Sequence, residues 1–251
     1  MQETDFVSGF ARGLKVIEAF GEATPKLTIA DVARATELDR ATARRCLLTL
    51  AELGYADHDG KFFVLTPKIL RLGHAYLSAT PLPHIVQPFL DKLSEEVHQS
   101  ASASVLDGTE IVYIARASQK RVMSINLMPG SRLPTYCASM GRVMLAALPE
   151  EEARVLLEQT VLKAFTPNTK TDPAELMQEL ARVRDQGFAV IDQELELGLC
   201  SIAVPLTNDR GRVIAALNIG APAAQVSADE MAERYLQPLK AVAKSLKPML
   251  R

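Results

Sequence analysis

The sequence predicts an α+β protein in which an N-terminal winged helix-turn-helix is joined through a linker helix to a C-terminal domain with a central antiparallel sheet flanked by helices. Three observations carry this prediction. Two short amphipathic helical patterns stand back to back at 28–35 and 39–53. Two brief strand patterns follow at once, with a hairpin signal between them. Beyond a proline-rich break at 80–83, hairpin pairs of strands are split by helical runs to the end of the chain. The expected boundaries are 1–65 for the winged domain, 66–83 for the linker helix and boundary, and 84–251 for the C-terminal domain.

The first helical pattern places Phe10, Leu14, Ile17 and Phe20 on one face, as expected of the supporting helix of the winged domain. Arg12 and Lys15 on it read as solvated surface charges. Thr28 starts the next helix as its N-cap, Asp31 three residues on completes a capping box, and Ile29, Val32 and Ala33 point inward. After Thr36-Glu37-Leu38, Asp39 caps the second helix against the positive end of its dipole, and Gly54 stops it. Ala43, Cys46, Leu47, Leu50 and Leu53 recur at helical spacing, which puts Arg40, Thr42, Arg44, Arg45 and Thr49 on the outward face. In a helix-turn-helix the second helix enters the major groove while the first lies across the phosphates. The expected DNA-facing set is therefore Thr28, Arg40, Thr42, Arg44 and Arg45, with Lys61 in the wing. Such spacing also describes an ordinary solvated helix face. What favours DNA is the wing itself, where Tyr55-Ala56-Asp57-His58 and Phe62-Phe63-Val64-Leu65 meet at Asp59-Gly60.

Thr66 caps and Pro67 opens a further helix, on which Leu70, Gly73 and Leu77 lie along one side with Ile69, Leu72 and Tyr76 adjacent. That stripe is wider than a lone linker needs and suits packing against a second copy. Thr80-Pro81-Leu82-Pro83 resists helix and marks the boundary. A helix over 85–97 then precedes strands at 103–106 and 110–116, which meet at Asp107-Gly108, and a third strand at 122–125. Helices over 139–148, 150–160 and 173–186 are followed by strands at 188–191, 201–206 and 213–219. The closing helix begins at Ser227, with Glu230 three residues on as its capping partner.

Composition bounds the function. The 251 residues, 48% hydrophobic and 23% charged, suit one large or two ordinary globular domains. The net charge of -2 does not advertise nucleic-acid binding, and residues 1–79 hold ten Lys/Arg against ten Asp/Glu. Any basic surface must come from clustering, as between Arg40 and Arg45, where three arginines stand without an acid. Cys46, Cys137 and Cys200 are well separated, which suits a reducing compartment and offers no zinc framework. The acidic start lacks a signal-peptide pattern and no apolar run approaches membrane-spanning length, so a cytoplasmic protein with no membrane partner is expected. No metal and no cofactor is expected.

The winged domain, linker helix and second domain together resemble the isocitrate lyase regulator (IclR) family of bacterial transcription factors over nearly the whole chain. The most specific stretch is Gly130-Ser131-Arg132-Leu133-Pro134-Thr135-Tyr136-Cys137-Ala138-Ser139-Met140-Gly141-Arg142, supported by Gly198-Leu199-Cys200-Ser201-Ile202-Ala203-Val204-Pro205. Within the family, Ala11-Arg12-Gly13-Leu14-Lys15-Val16-Ile17, Leu72-Gly73-His74-Ala75-Tyr76-Leu77 and Asp192-Gln193-Glu194-Leu195-Glu196-Leu197-Gly198-Leu199 look most like the protocatechuate and β-ketoadipate pathway regulators. The resemblance implies a GAF-like effector-binding domain and an effector that is a small aromatic acid or dicarboxylate, with glyoxylate or pyruvate as the alternative. It also implies operator DNA as partner, a homodimer that can pair into a dimer of dimers, and RNA polymerase as a further contact.

Physical reasoning places an acid effector at the loop between Gly130 and Pro134 and the helix after it, because free amides around Ser139, Met140 and Gly141 form a positive helix terminus. The family resemblance adds lining residues: Tyr136, Ser139 and Met140 on this element, Asp192, Glu194, Cys200 and Ser201 on the second, and Asn218 on the last strand. Each has a plainer alternative. Ser139 also reads as a mere N-cap, and Cys200 as a small buried hydrophobe. Asp192 and Glu194 would repel an anion unless they bond a hydroxyl or face elsewhere. Some family members carry cysteine where Ser201 stands, and Arg132 suits either a structural ion pair or the effector's far carboxylate.

Two other function classes are open to the sequence. Ala138-Ser139-Met140-Gly141 resembles a nucleophile turn, but Cys137 stands where a glycine is needed and Arg142 replaces the lysine of a Ser-x-x-Lys pair, so an enzyme is not expected. A sensor using the helix pair for protein contacts would show DNA affinity insensitive to salt.

Overall fold

The computed structural model describes residues 6–21, 23–118 and 127–250. The chain divides into two compact units, Met1–Ala79 and Thr80–Arg251.

The first unit contains α1 (Ser8–Glu18), α2 (Ile29–Thr36), α3 (Arg40–Glu52), a two-stranded antiparallel wing of β1 (Ala56–His58) and β2 (Phe63–Leu65), and α4 (Leu70–Ala79). The expected caps are in place. The Thr28 hydroxyl accepts from the Asp31 amide at 3.2 Å while the Asp31 carboxylate accepts from the Thr28 amide at 3.1 Å. Asp39 accepts from the Thr42 amide at 2.8 Å. Val16, Val32, Ala43, Leu47, Leu50 and Phe63 form the core, and Phe63 also exchanges backbone bonds with Leu27 ahead of α2. Two expectations need correction. Phe10 and Leu14 do not join this core; they are 68% and 40% exposed, because the core meets α1 only from Val16 onward. Pro67–Ile69 forms a 3-10 turn, so α4 starts later than Pro67, and its Leu70, Leu72 and Tyr76 lie exposed.

The second unit is a three-layer α+β domain. Its elements are α5 (Leu82–Val97), β3 (Ser100–Asp107), β4 (Glu110–Ala117), β5 (Arg132–Pro134), α6 (Ser139–Ala146), α7 (Glu150–Glu158), α8 (Pro173–Gln186), β6 (Ala189–Asp192), β7 (Leu199–Thr207), β8 (Val213–Pro222) and α9 (Ala228–Leu246). The strands run in the order β5-β4-β3-β8-β7-β6, each antiparallel to its neighbour. Side chains alternate across the sheet. Cys200, Ile202, Val204, Leu217 and Ile219 pack with α5 and α9 on one face, and Ala203 and Ala216 pack with α6 and α8 on the other. The proline-rich stretch begins a helix rather than resisting one: Pro81 is the N-cap of α5 and Pro83 sits in its first turn, where a missing amide costs nothing. The strand expected at 122–125 lies outside the described residues, and β5 is additional.

One irregularity in the sheet positions the site. Pairing between β3 and β4 shifts from Ala103 opposite Ala115 to Ser104 opposite Tyr113, which makes Ile114 an extra residue. Tyr113 and Arg116, three apart, therefore face the same side, together with Ser102 and Ser104.

Candidate functional site

On the winged unit, Arg40, Arg44 and Arg45 of α3 are exposed, and among the described residues none lies within ion-pair distance of a carboxylate. Arg45 instead donates to the Thr42 hydroxyl at 3.3 Å. Three exposed guanidiniums outside any ion pair on one short helix suit phosphate and base-edge contacts. Lys61 is exposed at the wing, its ammonium 5.0 Å from the Phe62 ring centroid, and Lys26 approaches the same ring at 4.9 Å. Lys26, absent from the expected set, is thus placed at the wing by its cation–π contact rather than by any motif. Thr42 is a correction: it is 6% exposed, because the first turn of α3 tucks it under Arg45. The Thr28 hydroxyl already donates to Asp31 at 2.6 Å, so the cap leaves no proton there for a phosphate.

On the second unit, a cavity enclosing about 540 Å³ of empty space, its solvent-open mouth included, lies between α6 and the sheet face that carries Ala203 and Ala216. Ser139, Met140, Ser201 and Asn218 line it, as expected, and so do Tyr113, Arg116, Leu195 and Leu199. The N-cap of α6 is Ala138, which has no capping side chain, so Ser139 is not the cap. Its hydroxyl accepts from Ser201 at 3.0 Å instead. Ser139 and Met140, whose first-turn amides have no partner within the helix, line the cavity. Arg116 is half-buried and donates to the Ser102 hydroxyl at 3.0 Å. Burial lowers its pKa below the ordinary guanidinium range, with the neighbouring Tyr113 acting in the opposite sense. Burial also pushes the Tyr113 phenol up to about 12, so at neutral pH Tyr113 is no counter-ion for that guanidinium.

Four expected lining residues are elsewhere. Cys200 and Asp192 pair across β7 and β6 on the far face of the sheet, where the Cys200 thiol lies 3.3 Å from the Asp192 carboxylate. Strand alternation explains it: if Ser201 faces the cavity, its neighbour Cys200 cannot. The Tyr136 hydroxyl points away, donating to the Lys163 carbonyl at 2.6 Å. Glu194 is buried at 4% exposure and paired with Arg142 at 2.6 Å, so it never meets a ligand as an open carboxylate. Arg132 resolves to ion pairs with Asp107 at 2.7 Å and Glu110 at 2.6 Å. Arg116 escapes sequence reasoning because, without the bulge, it would face opposite to Tyr113; its signal is one basic residue in a strand otherwise apolar after Glu110. Among the described residues, no group of three or more His, Cys, Asp or Glu side chains is placed to hold a metal. No helix among them is long and apolar enough to cross a membrane.

A wing and helix with unpaired arginines, carried on the same chain as a cavity-bearing sheet domain, define the class as DNA-binding transcription regulators that sense a small molecule themselves. Residues 10–60 match the IclR helix-turn-helix domain and residues 74–247 the bacterial transcriptional regulator IclR C-terminal domain, and the chain belongs to the IclR family. It is 47% identical to the Pca regulon regulatory protein of Pseudomonas putida over 245 residues, covering 97% of this chain and 84% of that protein. It is 36% identical to the p-hydroxybenzoate hydroxylase transcriptional activator of Acinetobacter baylyi, covering 98% and 93%. Among solved structures, a putative transcriptional regulator from Rhodococcus sp. RHA1 matches with a TM-score of 0.81 at 45% identity, covering 96% and 97%. The inducer binding domain of a PobR double mutant from Acinetobacter, in complex with 3-hydroxybenzoic acid, matches with a TM-score of 0.64 at 32% identity over 67% and 98%. An IclR homolog from Microbacterium hydrocarbonoxydans in complex with 4-hydroxybenzoate matches with a TM-score of 0.76 at 26% identity over 95% and 98%. The relatives named are regulators, not enzymes.

Proposed function

We propose that the chain binds operator DNA as a dimer and that its effector is a small acid of aromatic catabolism, held in the cavity with its carboxylate against Arg116. One observation carries the effector reading. Arg116 is a half-buried cation on the cavity wall with no carboxylate in ion-pair range among the described residues. The intervening stretch 119–126 contains no Asp or Glu to serve as one. A desolvated guanidinium left without an acid favours an incoming anion, and the first-turn amides of α6 add a second positive pole. The names of the relatives from Pseudomonas and Acinetobacter, and the hydroxybenzoates bound to two structural neighbours, support the same ligand class.

Titration calorimetry with protocatechuate and 4-hydroxybenzoate tests this. Arg116→Met should weaken binding about ten- to a hundredfold, the range for a charge-assisted hydrogen bond, while the melting temperature without ligand holds. Unchanged affinity would remove the carboxylate from Arg116. The apolar side chains that α1 and α4 leave uncovered, Phe10, Leu14, Leu70, Leu72 and Tyr76, support dimerisation through the winged unit. Two wings per dimer would then read two half-sites. Such a regulator works in the cytoplasm, where its operator and RNA polymerase are, and α4 with the boundary after it links the DNA-reading and effector-binding units.

A further inference from the structure

Gln87 of α5 grips the backbone of β4 at the residue that lines the cavity. Its Oε1 accepts from the Arg116 amide at 3.2 Å, and its Nε2 donates to the Arg116 carbonyl at 3.1 Å and to Asp91 at 2.7 Å. Both amide protons and the oxygen of the side chain are thereby engaged. Two such bonds to one residue reproduce what a paired strand supplies. β5 pairs with β4 only over 110–112, and Ser131 and Gly130 carry the bonding one residue further, to Tyr113. Gln87 therefore serves the edge of β4 beyond them. The α5 side chains around it, Val86, Leu90 and Leu93, are buried in the apolar core, whereas Gln87 is half-buried and adds a directional hold. Holding both peptide groups beside the Arg116 Cα fixes where its guanidinium enters the cavity. The hold falls at a weak point of α5. Pro88 has no amide to give the His84 carbonyl, so the helical ladder is interrupted there. The turns before Pro88 are tied to the sheet by Val86 and Gln87, and only Thr80 and Pro81 separate them from α4.

We propose that Gln87 is the positioning residue that couples the two functions of the chain, passing a change at Arg116 to the first turns of α5 and from there to α4 and the DNA-reading unit. This rests on the reading of Arg116 as the anchor for the acid. An acid that draws the guanidinium from the Ser102 hydroxyl, 3.0 Å away, shifts the backbone that Gln87 holds. The interruption at Pro88 lets the first turns follow without the rest of the helix. The strength is adequate. One neutral hydrogen bond contributes about two- to twelvefold to an equilibrium, so two reach about 5- to 150-fold, the size of a typical coupling between sites. Gln87 does not itself line the cavity, and its half-burial lets water replace its amide, so its loss spares both the ligand contacts and the fold.

The test compares full-length wild type, Gln87→Met, Gln87→Glu, Asp91→Ala and Arg116→Met. Fluorescence anisotropy reads affinity for an operator duplex selected from random sequence, with and without saturating 4-hydroxybenzoate or protocatechuate, whichever wild type binds more tightly by calorimetry. Gln87→Met keeps the length of the side chain and removes its bonds. Its affinities for the acid alone and for the duplex alone should stay within about threefold of wild type, while the ratio of operator affinities with and without acid falls to within about twofold of one. Gln87→Glu keeps the bond from the Arg116 amide and loses the one to its carbonyl, so its ratio should lie between. Asp91→Ala leaves both bonds to Arg116 in place and should keep the wild-type ratio. A wild-type ratio in Gln87→Met, loss of acid binding in that variant, or an equal loss of coupling in Asp91→Ala would overturn the inference. Should Gln87→Met fail to fold, a wild-type ratio in Gln87→Glu would overturn it. So would an acid that binds wild type without changing its operator affinity. If instead wild type binds neither acid, or Arg116→Met binds them normally, the effector reading of the cavity itself falls, and the inference with it.

Discussion

Arg142 is 1% exposed and joins three parts of the sensor unit. Its Nε donates to the Tyr136 carbonyl at 2.9 Å, one terminal nitrogen donates to Glu194 at 2.6 Å, and the other lies 3.7 Å from Glu179. Glu179 keeps a second partner in Arg182 at 2.7 Å, whereas Glu194 would be left only the Lys170 amide at 3.1 Å. Arg142→Met therefore strands one buried carboxylate and one carbonyl. Breaking a buried pair from one side costs about 3–5 kcal/mol. At about 2–4 °C per kcal/mol for a domain of this size, the melting temperature of the sensor unit should fall by roughly 6–20 °C. Adding Glu194→Met removes the stranded charge, so the double variant should recover most of the loss. Urea titration followed by circular dichroism reads this as a midpoint shift at constant slope. A single variant within about 1 kcal/mol of wild type, or a double variant no better than the single, would refute the reasoning. Because Ser139 and Met140 lie one turn before Arg142, and Leu195 follows Glu194, the pair also braces two walls of the cavity.

Three further predictions follow from local geometry. A Cβ on Gly141 would lie 2.2 Å from the Thr135 carbonyl oxygen and 2.4 Å from its Cα, both backbone, so Gly141→Ala should cost about 3 kcal/mol or more by thermal melting; near-wild-type stability would mean α6 is packed otherwise. The Thr42 amide holds the Asp39 carboxyl below its ordinary 3.8, and the Thr28 hydroxyl and amide do the same for Asp31. Carboxyls depressed in the folded state contribute stability that is present above their unfolded pKa and lost as pH falls through the folded one. The winged unit should thus lose melting temperature below about pH 4, a loss lessened in Asp39→Asn. Burial pushes both Cys137 and Cys200 up to about 12, so in native thiol labelling at neutral pH the half-buried Cys46 should react well ahead of both; equal rates would contradict the burial.

The winged unit was legible because its signals are local. Thr28 with Asp31, Asp39 before Arg40, and Asp59-Gly60 between two short apolar runs each specify a cap or turn within a few residues. The cavity was half legible, through the helix start at Ser139 and the Gly198-Leu199 stretch. Over 192–201 parity decides the outcome: Cys200 and Ser201 are adjacent in a strand and therefore point to opposite faces, so they do not share one wall. What hid Arg116 was the extra residue at Ile114, a feature of pairing between strands that no pattern within one strand displays. The Glu194–Arg142 pair spans 52 positions, a contact that a single sequence does not encode in its spacing. Thr42 shows the remaining limit: an outward position by helical phase is still buried when a long neighbour such as Arg45 folds over it.

The most direct test of the whole account is reciprocal linkage. Operator affinity would be measured with and without the preferred phenolic acid, on a duplex that the protein selects from random sequence, and affinity for that acid with and without the duplex. The two ratios should agree and differ from one by about 5- to 150-fold, and Arg116→Met should abolish the coupling while ligand-free operator binding stays intact. Operator affinity that does not change at saturating acid would contradict it.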